Sequence, residues 1–287
     1  MSENTITLYF IKSPYSIDWH SPKTLARSII KNYFSFQKNF MGHVNIELKG
    51  KLPSGDDVDI LTGMVAGNLN AKKMLFVKKI GLGVVFHSFK GHLESRADVG
   101  EMVNKYLERN NRINYLTFKI SSETLQKLVE YHTQYNQENL QKFYGLYNRP
   151  RYKEGGGCSA FGASFLDIAG LLFEEFKKEW TYQLKMPMKL IGMPIQENKV
   201  SFFKLLFTNH KWATSEEDYK EIFFWDPDKM YQWVEKQIQD KNSKYSKTNI
   251  KQTKGLEFDA TTITVPNDPI FMQDNRELPL WVENNWL

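Results

Sequence analysis

The segment Gly155-Gly156-Gly157-Cys158-Ser159-Ala160-Phe161-Gly162 joins a glycine run to the chain's one cysteine. Glycines permit backbone dihedrals and close approaches that other residues resist. Phe161, Phe165, Ile168 and Leu172 follow at helical spacing, so Cys158 is expected at the start of a helix with a buried face. Unpaired N–H groups and the positive dipole end there favour a thiolate. The same N–H groups can receive an oxyanion during acyl transfer. The competing account makes Cys158 a small buried residue behind a flexible loop.

A thiol nucleophile needs a base, and the chain has six histidines. His43 opens Gly42-His43-Val44-Asn45-Ile46-Glu47-Leu48, which alternates as a strand does. Val44, Ile46 and Leu48 make an apolar face, while His43, Asn45 and Glu47 make a polar one able to line a cleft. His87, at the end of Val84-Val85-Phe86, is the main competitor. Val58 to Val65 reads as the returning strand. A hairpin centred near Pro53-Ser54 puts Glu47 opposite Asp59 and His43 near Gly63. Asp59 is therefore the first choice to orient the imidazole, ahead of Glu47, which is two pleats from His43, and Thr62; one slip of register would reverse the face. Tyr144, Tyr147 and Tyr152 precede the nucleophile. One of them could donate to an oxyanion or line the cleft with Ser159; the plainer account is that they pin a long loop.

The order and spacing of Gly42-His43-Val44 and, far downstream, Gly157-Cys158-Ser159-Ala160-Phe161 resemble the permuted NlpC/P60-type papain-like enzymes. That group includes the YiiX-like bacterial hydrolases and the lecithin:retinol acyltransferase-like proteins. The resemblance implies an α+β fold: a small antiparallel sheet packed on the Cys-bearing helix. It would cover a catalytic module over residues 1–180, leaving 181–287 as a C-terminal elaboration on the same core. It also implies acyl transfer through a thioester, chiefly peptide or amide hydrolysis and in some branches lipid acyl chemistry. Catalytic roles would fall to Cys158 and His43, with Asp59 as the orienting residue. Ser159, Tyr152, Tyr147 and Glu47 would serve substrate or oxyanion.

The rest of the sequence frames this reading. At 287 residues, with 41% hydrophobic and 25% charged residues, the chain suits one sizeable core. Its net charge of +5 is mild and interspersed. The lysines of 241–254 read as a solvated loop, so no nucleic-acid partner is expected. A lone cysteine forms no internal disulfide. No apolar run reaches membrane-spanning length, so no integral membrane segment is expected. MSENTITLYFIKSP lacks the charge and apolar run of a signal peptide, which makes the cytoplasm the default compartment unless a signal was removed. His43, Glu47 and Asp59 lack the short ligand spacing of a zinc site, and Gly155–Gly157 is not a phosphate loop; no cofactor or metal is expected. The expected partner is a peptide, amide or acyl-lipid substrate. In the lipid case Ser201–Phe207 (SFFKLLF) could build an apolar groove, though such a run is more simply core.

Further elements are expected as a strand at 5–11, a helix from Pro22 to about Phe36, β material at 74–80 and 82–89, and a helix over 97–109. A strand follows at 113–120, then a helix from Ser122 to about Phe143, a helix over 228–239 and a strand at 260–265.

Overall fold

In the first strand, β1 (Thr5–Ile11), Ile6, Leu8 and Phe10 are fully buried on one face, and Tyr9 and Ile11 are buried on the other. A strand apolar on both faces must be central and covered twice, and this one is.

The computed structural model describes residues 3–33, 42–67, 79–109, 112–193 and 195–281. After β1 come helix α1 (Pro22–Tyr33), strands β2 (His43–Lys51) and β3 (Asp57–Ala66), and a 3₁₀ turn (Leu82–Phe86) leading into β4 (His87–Glu94). Helix α2 (Arg96–Arg109), strand β5 (Ile113–Lys119), helix α3 (Ser122–Gln137) and the short strand β6 (Phe143–Tyr144) precede helices α4 (Cys158–Ile168) and α5 (Glu174–Glu179). The chain continues through β7 (Thr181–Pro187), α6 (Phe202–Phe207), β8 (Tyr219–Trp225), α7 (Pro227–Gln239), β9 (Ser246–Ile250), β10 (Thr253–Asp259) and β11 (Leu280–Trp281). The architecture is α+β, with a large, mostly antiparallel sheet and seven helices among the described residues.

The main sheet runs β11-β4-β3-β2-β1-β5-β10-β9, with β6 beside β4. Only the β5–β10 and β4–β11 pairs in it are parallel. On one face, α4 packs over β2 and β3, α3 beside it and α7 over β1 and β5. There Val44, Ile46 and Leu48 meet Phe161, Phe165, Leu128, Trp180, Met230 and Val234 in one core. Every residue of α4 except Asp167 is buried, as in a helix that protein covers on nearly all sides. On the other face α2 places Val99, Val103 and Leu107, at spacing four, over Tyr9, Ile11 and Tyr115. A second core gathers α1, α6 and the β7–β8 pair around Trp19, Leu25, Phe202, Ile222 and Phe224.

Several elements differ from the sequence expectation. The helix after Ser121, whose hydroxyl accepts from the Thr124 N–H, stops at Gln137, because Asn139 takes a left-handed φ of 60°. The lysine-rich 241–254 stretch is not a loop: it holds β9 and the start of β10. No strand forms at 260–265, where the Asp259 carboxylate accepts from the backbone and hydroxyl of Thr261 and turns the chain. In 82–89 a 3₁₀ turn replaces the first half of the expected strand. The strand expected over 74–80 falls outside the described residues up to 78, as does the helix end expected at 34–36.

Candidate active site

Cys158 is the first residue of α4 and Gly157 its N-cap. The loop before it is set by Gly155, whose φ of +74° and close approach exclude a side chain: an added Cβ would lie 2.1 Å from the Phe143 carbonyl oxygen. That oxygen accepts from the Gly156 N–H, 3.0 Å away, so the loop is tied to β6, which pairs with β4 through Phe89 and Tyr144.

His43 opens β2 and lies against Cys158, within hydrogen-bonding reach. Its Nε2 is 2.8 Å from Oε2 of Glu94, at the end of β4. The Asn45 side-chain amide donates to the same Glu94 oxygen at 3.0 Å. The Thr62 hydroxyl donates to the Glu94 carbonyl oxygen at 2.8 Å, fixing the strand end. Gly63 makes room for this cluster: a Cβ there would meet Asn45 Nδ2 at 2.5 Å, Glu94 Oε2 at 2.8 Å and His43 Nε2 at 3.1 Å.

The electrostatics favour a thiolate–imidazolium pair. Burial by itself would lower the imidazole, but the facing Cys158 and the Glu94 carboxylate overcome it and push His43 up to about 10. Burial likewise opposes the thiolate, yet His43, the Val44 backbone N–H and the Tyr144 hydroxyl hold Cys158 below the usual thiol range. Tyr144 is pushed far above the ordinary phenol range, by burial first and then by the thiolate it faces, so it stays a donor. Its hydroxyl is 4.0 Å from Sγ, and the Cys158 backbone N–H faces the phenol oxygen. The Tyr144 hydroxyl thus lies between the Cys158 N–H and the sulfur.

Cys158 is only 4% exposed, but it is not sealed in packing. It lines an open cavity whose walls include Trp19, Leu25, Val85, Phe89, Leu146 and Phe224. Ser159 also lines it, with its hydroxyl donating to the Trp225 carbonyl at 2.8 Å.

The other residues singled out from the sequence lie elsewhere. Asp59 keeps the face of His43 but pairs with Lys49, because the hairpin register is two residues away from the expected one and Glu47 stands opposite Leu61. Asp59 is exposed and held by Arg96, so Glu94 takes the place expected for it beside the imidazole. Glu47 accepts from Tyr9 at 2.9 Å and is ion-paired with Lys49 and Arg96, away from the sulfur. Tyr147 lies under the Arg276 guanidinium and Tyr152 under that of Arg149, which makes both loop anchors. His87, the rival base, bonds through Nδ1 to the Gly83 carbonyl oxygen at 2.6 Å and is lowered by burial. Sequence reasoning missed Glu94 altogether; the one available signal was Gly63, a glycine inside an apolar strand, which marks a close approach. No family model, curated protein or solved structure matches this chain.

Proposed function

We propose that the chain is a cysteine-dependent hydrolase that works through a thioester acyl-enzyme on a permuted papain-like scaffold. The observation that carries this reading is the Cys158–His43–Glu94 series, partly shielded from water and opening on a cavity lined by Tyr144. His43 holds the Cys158 proton as imidazolium. The thiolate attacks a substrate carbonyl carbon, and the new oxyanion is received by the Cys158 backbone N–H and the Tyr144 hydroxyl. Collapse forms the thioester and expels the leaving group, which takes its proton from His43. Water, activated by the now neutral imidazole, then hydrolyses the thioester and releases the acid. Glu94 keeps the imidazole oriented and charged, the part a carboxylate plays in a catalytic triad.

A peptide or amide is the first substrate class. A second reading, an apolar acyl ester or thioester, is favoured by the cavity walls, which are aromatic and aliphatic for most of their extent. Ser201–Phe207 does not line that cavity. Turnover of peptide, amide, acyl-ester and acyl-thioester substrates, compared in the natural chain and Cys158→Ala, tests the proposal. Loss of all turnover in the variant with an unchanged circular dichroism spectrum is expected; retained turnover would end it. The preferred substrate separates the two classes.

A further inference from the structure

We infer that Asn45 is a positioning residue: its amide N–H holds the Glu94 carboxylate against His43 and so sets the imidazole that faces Cys158. The role rests on the catalytic reading of Cys158. Asn45 follows His43 on β2 by two residues, so both side chains leave the strand on one face. The β2–β3 pairing stops at Ile46 and Thr62, and Gly63 pairs with Glu94 of β4. A glycine there leaves the space in which the Asn45 amide, Glu94 Oε2 and His43 Nε2 meet.

Those three polar atoms form a triangle. Its sides are 2.8 Å from His43 to Glu94, 3.0 Å from Asn45 to Glu94 and 3.2 Å from Asn45 to His43. The carboxylate oxygen is the acceptor, and the imidazolium and amide N–H groups are its two donors. Turned over, the amide would set its own oxygen against the carboxylate, so the N–H half must face Glu94. Among the described residues the Glu94 side chain has no other hydrogen-bond partner. It is 14% exposed at a strand end and has several rotamers, so one bond to His43 would leave it able to swing toward water. The Asn45 N–H removes that freedom. The other half of the amide does nothing for the fold: Asn45 is fully buried, and its Oδ1 has no partner among the described residues. A buried amide oxygen left unbonded disfavours the folded state. An apolar side chain of similar size would serve packing better. Nor is Asn45 among the residues that line the cavity at Cys158, so substrate contact does not account for it.

Alkylation of Cys158 by iodoacetamide at about pH 6, read by intact mass, tests the inference, with urea unfolding and circular dichroism run beside it. Asn45→Leu and the shape-conserving Asn45→Asp both remove the donor. Each should slow alkylation at least about fivefold, while the unfolding midpoint of Asn45→Leu stays close to that of the natural chain. The strongest test joins Asn45→Asp to Glu94→Gln. That exchange moves the carboxylate to the Asn45 corner of the triangle, 3.2 Å from Nε2 of His43, and leaves an amide donor at the Glu94 corner. One acceptor again serves two donors, so the double exchange should react at least about fivefold faster than Glu94→Gln alone. A side chain that only fills space would give no such recovery. The inference is overturned if both single variants react like the natural chain, or if the double exchange is no faster than Glu94→Gln. If the natural chain itself alkylates no faster than free cysteine in solution, the catalytic reading falls first and this role with it.

Discussion

Glu94→Gln isolates the charge behind the imidazole while keeping its shape. Glu94 and His43 are 2.8 Å apart, with both side chains 14% exposed, so the bond is charge-assisted and partly shielded from water. Such bonds are worth about 1.5–3 kcal/mol. The imidazolium loses that support in the variant, and so does the thiolate it stabilises. The expected result is alkylation of Cys158 by iodoacetamide about ten- to hundredfold slower at pH 6. Because the chain has one cysteine, intact-mass spectrometry reads the rate without ambiguity. Asp59→Asn and Glu47→Gln serve as controls, since both carboxylates pair with Arg96 instead. An unchanged rate in Glu94→Gln, with a slowed one in Asp59→Asn, would refute the assignment of Glu94 as the orienting carboxylate.

Tyr144→Phe removes one of two donors to the oxyanion and should lower kcat about a hundredfold with little change in KM; steady-state kinetics on the preferred substrate decides it. Gly63→Ala forces a methyl into the His43–Asn45–Glu94 cluster and should cost about 1–3 kcal/mol of stability and slow Cys158 alkylation, as measured by urea unfolding and the same mass assay. The pH profile of kcat/KM should be bell-shaped. Its acid limb reports protonation of the depressed Cys158 thiolate. Its alkaline limb should fall near pH 10, where His43 loses the proton it gives to the leaving group. A profile still rising beyond pH 10 would contradict that role. Trp19→Ala enlarges the cavity where Trp19 packs 4.5 Å from Phe224 and should shift preference toward longer acyl chains in a chain-length series.

The two ends of the site were legible in the sequence for local reasons. The glycine run announced a special loop before Cys158, and the alternation after Gly42 put His43 at the start of a strand; both signals lie within a few residues of the group they position. Glu94 was not legible, because β2 and β3 stop pairing at Ile46 and Thr62 and the carboxylate arrives from β4, opposite Gly63. Three strands must be placed before that contact exists, and no periodicity encodes it. Asp59 was misplaced by a two-residue difference in register, which preserves the face but moves the side chain along the strand toward Arg96. Among the three tyrosines of the loop, only Tyr144 is held by strand pairing beside the sulfur, while Tyr147 and Tyr152 are captured by arginines distant in sequence or by the loop's own Arg149. The central sheet was read more readily than the last hundred residues. There α7 was expected, but the pairing of β10 with β5 spans more than a hundred residues of chain and has no local signature.

The most direct test of the account is the covalent intermediate. Acid-quenched intact-mass spectrometry after brief mixing with an activated acyl ester should give one adduct, equal in mass to the acyl group, on the peptide that carries Cys158. The adduct should be labile to neutral hydroxylamine, absent from Cys158→Ala and slow to form in His43→Ala. An adduct on another residue, or turnover with Cys158 never acylated, would contradict the account.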